Sequence, residues 1–271
     1  MSDPATVQAL TRRAVALRRH ILVPASIYFS HLGGAMSAAD IMAALFFHFL
    51  RLEDRGAQKR DRFLMSKGHA VTAFHACMVE LGKIDASELA TSGQSGSRLA
   101  GHPTKKAPGV EFGTGSLGHA LSVGVGIALA EQLDRSTART VVLLGDGELQ
   151  EGSVWEAVMS APRFGLEQLT AIVDYNRFQA AGNVDEVMPV EPLADKWRAF
   201  RWNVKEIDGH DMTAIVDTLD SLPARRGPTV IIAHTVKGKG VPGIEGTSRA
   251  HYTMLTDEEV QRTLASLEAV Q

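Results

Sequence analysis

The sequence predicts an α/β fold, a parallel sheet flanked by helices on both faces. Three observations carry this. The runs 140–144, 169–175 and 229–235 are short, β-branched and almost wholly apolar, as strands covered on both faces are. Segments with helical spacing separate them, which is the βαβ pattern. The first run stops at Gly145-Asp146-Gly147, a turn that delivers a carboxylate to the C-terminal edge of the sheet, where ligands of open α/β sheets sit.

The elements follow in order. Residues 5–23 read as a helix with Val7, Leu10, Ala14, Leu17 and Ile21 inward and Arg12, Arg13, Arg18 and Arg19 toward water. Pro24 stops it. Residues 30–37 read as a glycine loop, and Ser37, with Asp40 three places on, caps a helix over 38–50. A short strand over 60–66 ends at Lys67-Gly68-His69 and leads into a helix reaching Leu81. The glycine-, serine- and proline-rich stretch 91–116 reads as a long irregular excursion of the kind that carries function. The helix over 118–133 contains Gly118, Gly124 and Gly126, small residues that suggest close packing on another backbone. After the central strand come a helix over 153–164, the strand over 169–175 and a second long loop over 177–195. A strand over 204–207, a helix over 212–222, the strand over 229–235 and a helix over 256–269 complete the chain. With neither repeat nor linker nor charge run, residues 1–271 read as a single domain.

Composition narrows the function. Apolar content of 45% and charge of 22% are ordinary for a globular protein, and a net charge of −3 offers no basic field, so nucleic acid is not an expected partner. Cys77, the single cysteine, fits a reducing compartment. The longest apolar run, 41–50, is short for a bilayer and contains His48, so it reads as a core helix rather than a membrane span. The expected location is cytoplasmic.

Several residue types point to chemistry. Asp146 and Asn176, each at a strand end, offer one carboxylate and one amide oxygen. With a backbone carbonyl just beyond, they form a hard half-shell for Mg²⁺ or Ca²⁺, completed by a diphosphate and water. Gly113-Thr-Gly115-Ser-Leu-Gly118 has the dinucleotide spacing, but residues 105–110 before it are no buried strand. Its glycines instead let backbone N–H groups approach a ligand at a helix start. His31, His69, His102 and His251 all fall in glycine-rich loops or at segment ends, suited to shuttling protons among sugar hydroxyls. Glu151 and Glu156 straddle a helix start, where the dipole favours acids.

Gly145-Asp146-Gly147 followed by Asn176, with Glu148-Leu-Gln-Glu151-Gly152 between, resembles the thiamine diphosphate motif in its transketolase form. The resemblance implies thiamine diphosphate and Mg²⁺ (or Ca²⁺), with Asp146, Asn176 and the Phe178 backbone carbonyl on the metal and Gly147 beside the cofactor. Gly101-His102-Pro103 to Gly118 is similar to the stretch whose backbone, here Gly115, Ser116 and Leu117, lies against the thiamine pyrimidine; His119 stands where the family often has Gln. Ser30-His31-Leu32-Gly33-Gly34 is similar to the family's Ser-Gly-His-Pro-Gly, which gives His31 a place at the donor sugar. His69 matches a diphosphate contact, and His102 a neighbour of the reacting carbonyl. His251 and Lys237 match by position, Lys237 toward the diphosphate or aminopyrimidine. Glu151 and Glu156 match an acid network across a subunit interface.

The resemblance covers the whole chain but only about the first third of a full-length transketolase. In the family, the glutamate that hydrogen-bonds the pyrimidine and the arginines for sugar phosphate lie on a second α/β domain. What it implies is the N-terminal, diphosphate-binding subunit of a split transketolase. A partner chain would carry the pyrimidine domain in an α2β2 heterotetramer, and the pair would move a two-carbon ketol unit from a ketose to an aldose. Alternatives are the α subunit of a thiamine-dependent 2-oxo acid dehydrogenase, a deoxyxylulose phosphate synthase and a non-catalytic regulatory subunit; Ser30-His31, Ser66-Lys-Gly-His69 and Leu149-Gln-Glu-Gly152 favour transketolase.

Overall fold

Local chemistry sets the helix starts in the computed structural model, which describes residues 2–54, 58–224 and 226–269. Asp3 accepts from the N–H groups of Ala5 and Thr6 and opens α1 (Pro4–Ala25), satisfying donors that a first turn leaves orphaned. Pro24 lies inside this helix rather than stopping it, because in the last turn its missing N–H removes only one bond. The arginine expectation fails at Arg18. It is buried, and its guanidinium holds both oxygens of Asp40, at 2.6 and 3.0 Å.

The glycine loop expected over 30–37 is mostly helix. α2 (Leu32–Ala44) starts just after His31 and passes into a π turn at Leu45–Phe49. Its early glycine serves packing: a Cβ on Gly33 would stand 2.5 Å from the carbonyl oxygen of Ala250. Ser37 is therefore no cap, and its hydroxyl donates to Asp174 at 2.6 Å. Asp40 likewise belongs to Arg18 and to His210, at 2.7 Å. The stretch 32–49 is long and apolar enough to cross a membrane, yet 89% of it is buried in the protein. It is a core helix.

The next elements are β1 (Arg62–Met65), α3 (Val71–Glu80), α4 (His119–Leu133), β2 (Thr140–Gly145), α5 (Gly152–Arg163) and β3 (Leu169–Tyr175). Residues 92–118 are irregular, as expected. Gly124 does pack closely, but onto a side chain: a Cβ there would meet Val142 Cγ2 at 2.7 Å, whereas Gly126 faces open space. The expected loop over 177–195 contains a hairpin, β4 (Phe178–Gln179) with β5 (Gly182–Asn183), then α6 (Val184–Val187) and the start of α7 (Leu193–Ala199). Elements this short show no period in sequence. β6 (Asn203–Asp208), α8 (Met212–Asp220), β7 (Thr229–His234) and α9 (Asp257–Glu268) follow, the last opened by a Thr256/Glu259 capping box.

The main sheet runs β1-β2-β3-β7-β6, parallel throughout. Alternate residues of β2 divide between two cores, as a period of two requires. Val141 and Leu143 pack with α1, α2, α3 and α8, while Val142 and Leu144 pack with α4, α5 and α7. Beyond β3 the chain joins the second core through Val184 and Leu193; beyond β7 it joins the first through Val241 and Ile244. The two connections part to opposite faces, which opens a crevice at the C-terminal ends of these neighbouring strands.

Candidate active site

Parallel register brings three strand ends together. Gly145 pairs with Asp174, and Tyr175 with His234, so Asp146, Asn176 and Lys237 emerge at one edge. There a cavity of about 350 Å³ gathers Asp146, Gly147, Asn176, Phe178 and Lys237 with Gly115, Leu117 and Glu151. His31, His69, His102 and His251 complete its wall. Residues as far apart in sequence as His31 and His251 thus have ring centroids 5.4 Å apart.

Two expected site residues stand apart. Ser116 is exposed beside the cavity rather than in its wall, and Glu156 lies on the exposed face of α5. Glu151 reaches the rim and is itself exposed.

The oxygen donors of Asp146, Asn176 and Phe178 lie side by side at this edge. Asp146 Oδ1 accepts from Gly147 N–H at 2.7 Å, and its other oxygen accepts from the N–H of Arg177. Arg177 reaches that position with φ 64, an uncommon conformation for a side-chain-bearing residue and one that concentrates at functional sites. Asn176 Oδ1 accepts from Phe178 N–H at 3.1 Å. The Phe178 carbonyl accepts from Lys237 Nζ at 2.6 Å, and Nζ also lies 2.8 Å from His251 Nδ1. Burial, reinforced by the Asp174 carboxylate, pushes the Asp146 carboxyl up to about 6. Burial, with Lys67 nearby, brings Lys237 down to about 8.

The histidines are held neutral. Burial, then His102 and Lys237, lowers His31 to about 4; burial and Lys237 lower His251 to about 3. Burial lowers His102 as well, and burial with Lys67 takes His69 well below its ordinary value. Four neutral imidazoles at neutral pH can each donate and accept a proton.

A buried network that the sequence reading missed supports this wall. Asp174, fully buried on β3, accepts from Lys67 Nζ, Thr235 Oγ1, Ser37 Oγ at 2.6 Å and Asn176 Nδ2 at 3.2 Å. The last bond turns the Asn176 amide so that its oxygen faces Phe178 and the cavity. Glu148 accepts from Ser66 Oγ, from Gly118 N–H at 2.9 Å and from Gly145 N–H at 3.0 Å. It ties the ends of β1 and β2 to the start of α4, where Gly118 adopts φ 84. Gln150 and Gln179, joined at 2.7 Å, add a polar rim. An available signal was the acid inside an apolar strand: Asp174 and Asn176 are two apart and share a face, and a buried charge needs a partner.

A larger groove of about 700 Å³ lies at the other end of the sheet, with Arg51 and Arg139 in its wall. Both guanidiniums are committed to Asp61, at 2.6 and 2.7 Å, and His48 in the same wall is paired with Asp220 at 2.8 Å.

Comparison with known proteins gives this site a context. The family described as the transketolase, thiamine diphosphate binding domain matches residues 24–268. The chain is 43% identical to an apulose-4-phosphate transketolase subunit of Phocaeicola vulgatus, over 86% of this chain and 84% of that protein. It is 38% identical to 6-deoxy-6-sulfo-D-fructose transketolase subunit SqwG of Clostridium sp., over 88% of each. Among solved structures, a Pichia stipitis transketolase complex with sedoheptulose 7-phosphate superposes with a TM-score of 0.88 at 29% identity. The transketolase of Leishmania mexicana superposes with a TM-score of 0.87 at 27% identity. The chain spans only 41% and 42% of those two chains, against 96% and 99% of its own length.

Proposed function

The chain belongs to the transketolase family, as a thiamine diphosphate-binding domain, and from that premise we propose that it is the diphosphate-binding subunit of a two-chain transketolase. Two relatives that are themselves named as subunits of a transketolase match over 84% and 95% of their own lengths, which supports a chain that works beside a second one. That second chain would supply the pyrimidine-facing domain, in an α2β2 assembly with sites between subunits. We place the assembly in the cytoplasm, a reading supported by a cysteine content of one, the buried Cys77.

The observation that carries the proposal is one cavity holding the oxygen half-shell, a buried lysine and four neutral histidines. The residues fit the cofactor and its metal. Asp146, Asn176 Oδ1 and the Phe178 carbonyl are all-oxygen donors of the kind Mg²⁺ or Ca²⁺ takes, and a cation there would offset the buried Asp146 carboxylate. Lys237 and His69 would hold the diphosphate, and the Gly115–Leu117 backbone would lie against the pyrimidine. Bound there, thiamine diphosphate supplies the electron sink for cleaving and remaking a bond beside a carbonyl.

The chain's own residues do the rest. His31 and His102 exchange protons with substrate hydroxyls and the reacting carbonyl, which neutral imidazoles can do without a change of pH. His251, hydrogen-bonded to Lys237, orients that lysine. Glu151 and Glu156 face the partner. The substrates are a ketose donor and an aldose acceptor, in sugar or sugar-phosphate form.

The proposal is tested by isolating the native complex, weighing it and identifying its small molecules. A second chain, thiamine diphosphate, a divalent metal and ketol transfer from a ketose are the expected findings. A lone chain without thiamine diphosphate, or a complex that decarboxylates a 2-oxo acid and leaves ketoses untouched, would defeat it.

A further inference from the structure

His210, in the turn between β6 and α8, is bonded at both ring nitrogens. Nδ1 lies 2.7 Å from Asp40 Oδ2, and Nε2 accepts the Val236 N–H at 2.9 Å. A backbone N–H can only donate, so Nε2 is bare and the proton sits on Nδ1, where Asp40 accepts it. Asp40 is fixed in turn by the buried Arg18. Arg18 on α1, Asp40 on α2 and His210 thus form one chain that ends on the backbone beside Lys237. The turn can lie against β7 because residue 209 is glycine. A Cβ there would stand 2.4 Å from Thr235 Cγ2, and its N–H donates to His234 O at 2.8 Å.

Beyond β7 the backbone is held on both sides of Lys237. His210 takes the N–H before it, and Gly33 O takes the Gly238 N–H after it, at 3.0 Å. The Lys237 carbonyl accepts from the Gly246 N–H at 2.8 Å. Lys237 needs this support. It is buried, and the acceptors bonded to its Nζ, the Phe178 carbonyl and His251 Nδ1, are both neutral. Neither bond is an ion pair, so the placing of the backbone decides where the ammonium stands.

We infer that His210 is a positioning residue for Lys237: as the Nδ1–H tautomer set by Asp40, it fixes the Val236 N–H and so the reach of the Lys237 ammonium into the cavity. The inference rests on the function proposed above, in which Lys237 holds the diphosphate, and names the group that places it. Without the Nε2 acceptor the Val236 N–H is left unpaired, which a backbone donor avoids by moving toward water. The turn that moves carries Lys237 with it.

The first test labels the lysines of the full chain by reductive methylation and reads each by mass spectrometry. His210→Phe keeps a ring and removes both nitrogens, whereas His210→Gln keeps one donor and one acceptor. Labelling of Lys237 should rise about tenfold in His210→Phe, the weight of one hydrogen bond, and stay near native in His210→Gln. Lys67, equally buried and in the wall of the same cavity, should keep its native rate in both. A rise shared by Lys67 would mean general loosening, and no rise would mean that Lys237 is placed without His210; either overturns the inference. In the unmodified chain, scalar coupling between the Val236 and His210 Nε2 nitrogens should be visible by nuclear magnetic resonance. Its absence overturns the inference even where a variant does not fold.

The second test titrates thiamine diphosphate into the two-chain complex at fixed Mg²⁺. His210→Phe should weaken binding roughly fivefold, yet cost nothing further in a Lys237→Met background, because the two residues act in series. An equal loss in both backgrounds overturns the inference. An unmodified complex that binds no thiamine diphosphate, with Lys237 labelled as expected, instead defeats the proposed function and leaves the placing of Lys237 by His210 intact.

Discussion

Asp146 is the sole charged oxygen among the three proposed metal donors, and two backbone N–H groups already hold it in place. Asp146→Ala removes that charge without disturbing the Asn176 amide, which Asp174 turns. Thiamine diphosphate affinity, titrated at fixed Mg²⁺, should weaken on the order of 10–100-fold, the usual scale for a damaged metal site; an unchanged Kd would remove the metal from this position. The histidines lead to a pH dependence. Above about 6.5, His31 and His251 are neutral whether the chain is folded or not, and their contribution to stability is fully present. Below that, the unfolded chain takes up protons that the folded cavity refuses until about 4 for His31 and about 3 for His251, so stability falls as pH falls. Asp146 opposes this, since its folded carboxyl titrates near 6, above its unfolded range, and gains on acidification. The comparison that isolates the histidines is the urea midpoint at pH 7 and pH 5 in the native chain and in a His31→Asn, His251→Asn double variant. The variant should lose less on acidification, and equal losses would mean that the imidazoles are not held neutral. At this scale the motif residues were legible because each carries its chemistry in its type. Lys67 and Glu148 were not, because their importance lies in partners supplied by distant segments; Asp174 left one trace, an acid inside an apolar strand.

Elements were legible where periodicity and length agreed, as in β2, β3, β7 and α9. They were not legible where a tertiary contact overrode local preference. α2 is the clearest instance. Gly33-Gly34 reads as a loop from composition, but Gly33 is needed because the Ala250 backbone crosses it. The same contact lodges His31 at the start of a buried helix and joins the chain beyond β7 to the histidine wall. Gly33→Ala would force a Cβ to within 2.5 Å of a carbonyl oxygen, and backbone cannot swing aside as a side chain can. The expected loss is about 1–3 kcal/mol by urea denaturation, typical of overpacking a filled site. A stability within error of the native chain would show that the 247–251 segment yields, and with it that His251 is not fixed by packing. The hairpin and the short helices after β3 were missed because two- and four-residue elements have no period to read. They still matter, since the hairpin sets the Phe178 carbonyl and Gln179 at the cavity rim.

At the scale of the whole molecule, the parallel sheet and its ligand edge could be read from alternation alone, because strand ends in a parallel sheet converge by topology. What alternation cannot show is how complete the site is on one chain. The Asp146, Asn176 and Lys237 side of the cavity is deeply buried, whereas Gly115, Ser116 and Glu151 stand exposed at or beside its rim. The proposed diphosphate end is therefore preorganised within this chain, while the proposed pyrimidine end has a surface on one side only. A ligand held at one end forfeits the contacts and the water exclusion of the other, so thiamine diphosphate should bind the lone chain on the order of 100-fold more weakly than the two-chain complex, a coupling of about 3 kcal/mol. Linkage requires the reverse effect with equal strength: saturating thiamine diphosphate and Mg²⁺ should tighten association with the partner chain by the same factor. Calorimetric titration of cofactor into chain and complex gives one side of this cycle, and sedimentation of the two chains with and without cofactor gives the other. Equal cofactor affinities, with association indifferent to cofactor, would mean that the partner completes no part of the cofactor site and that the chain holds the whole of it alone.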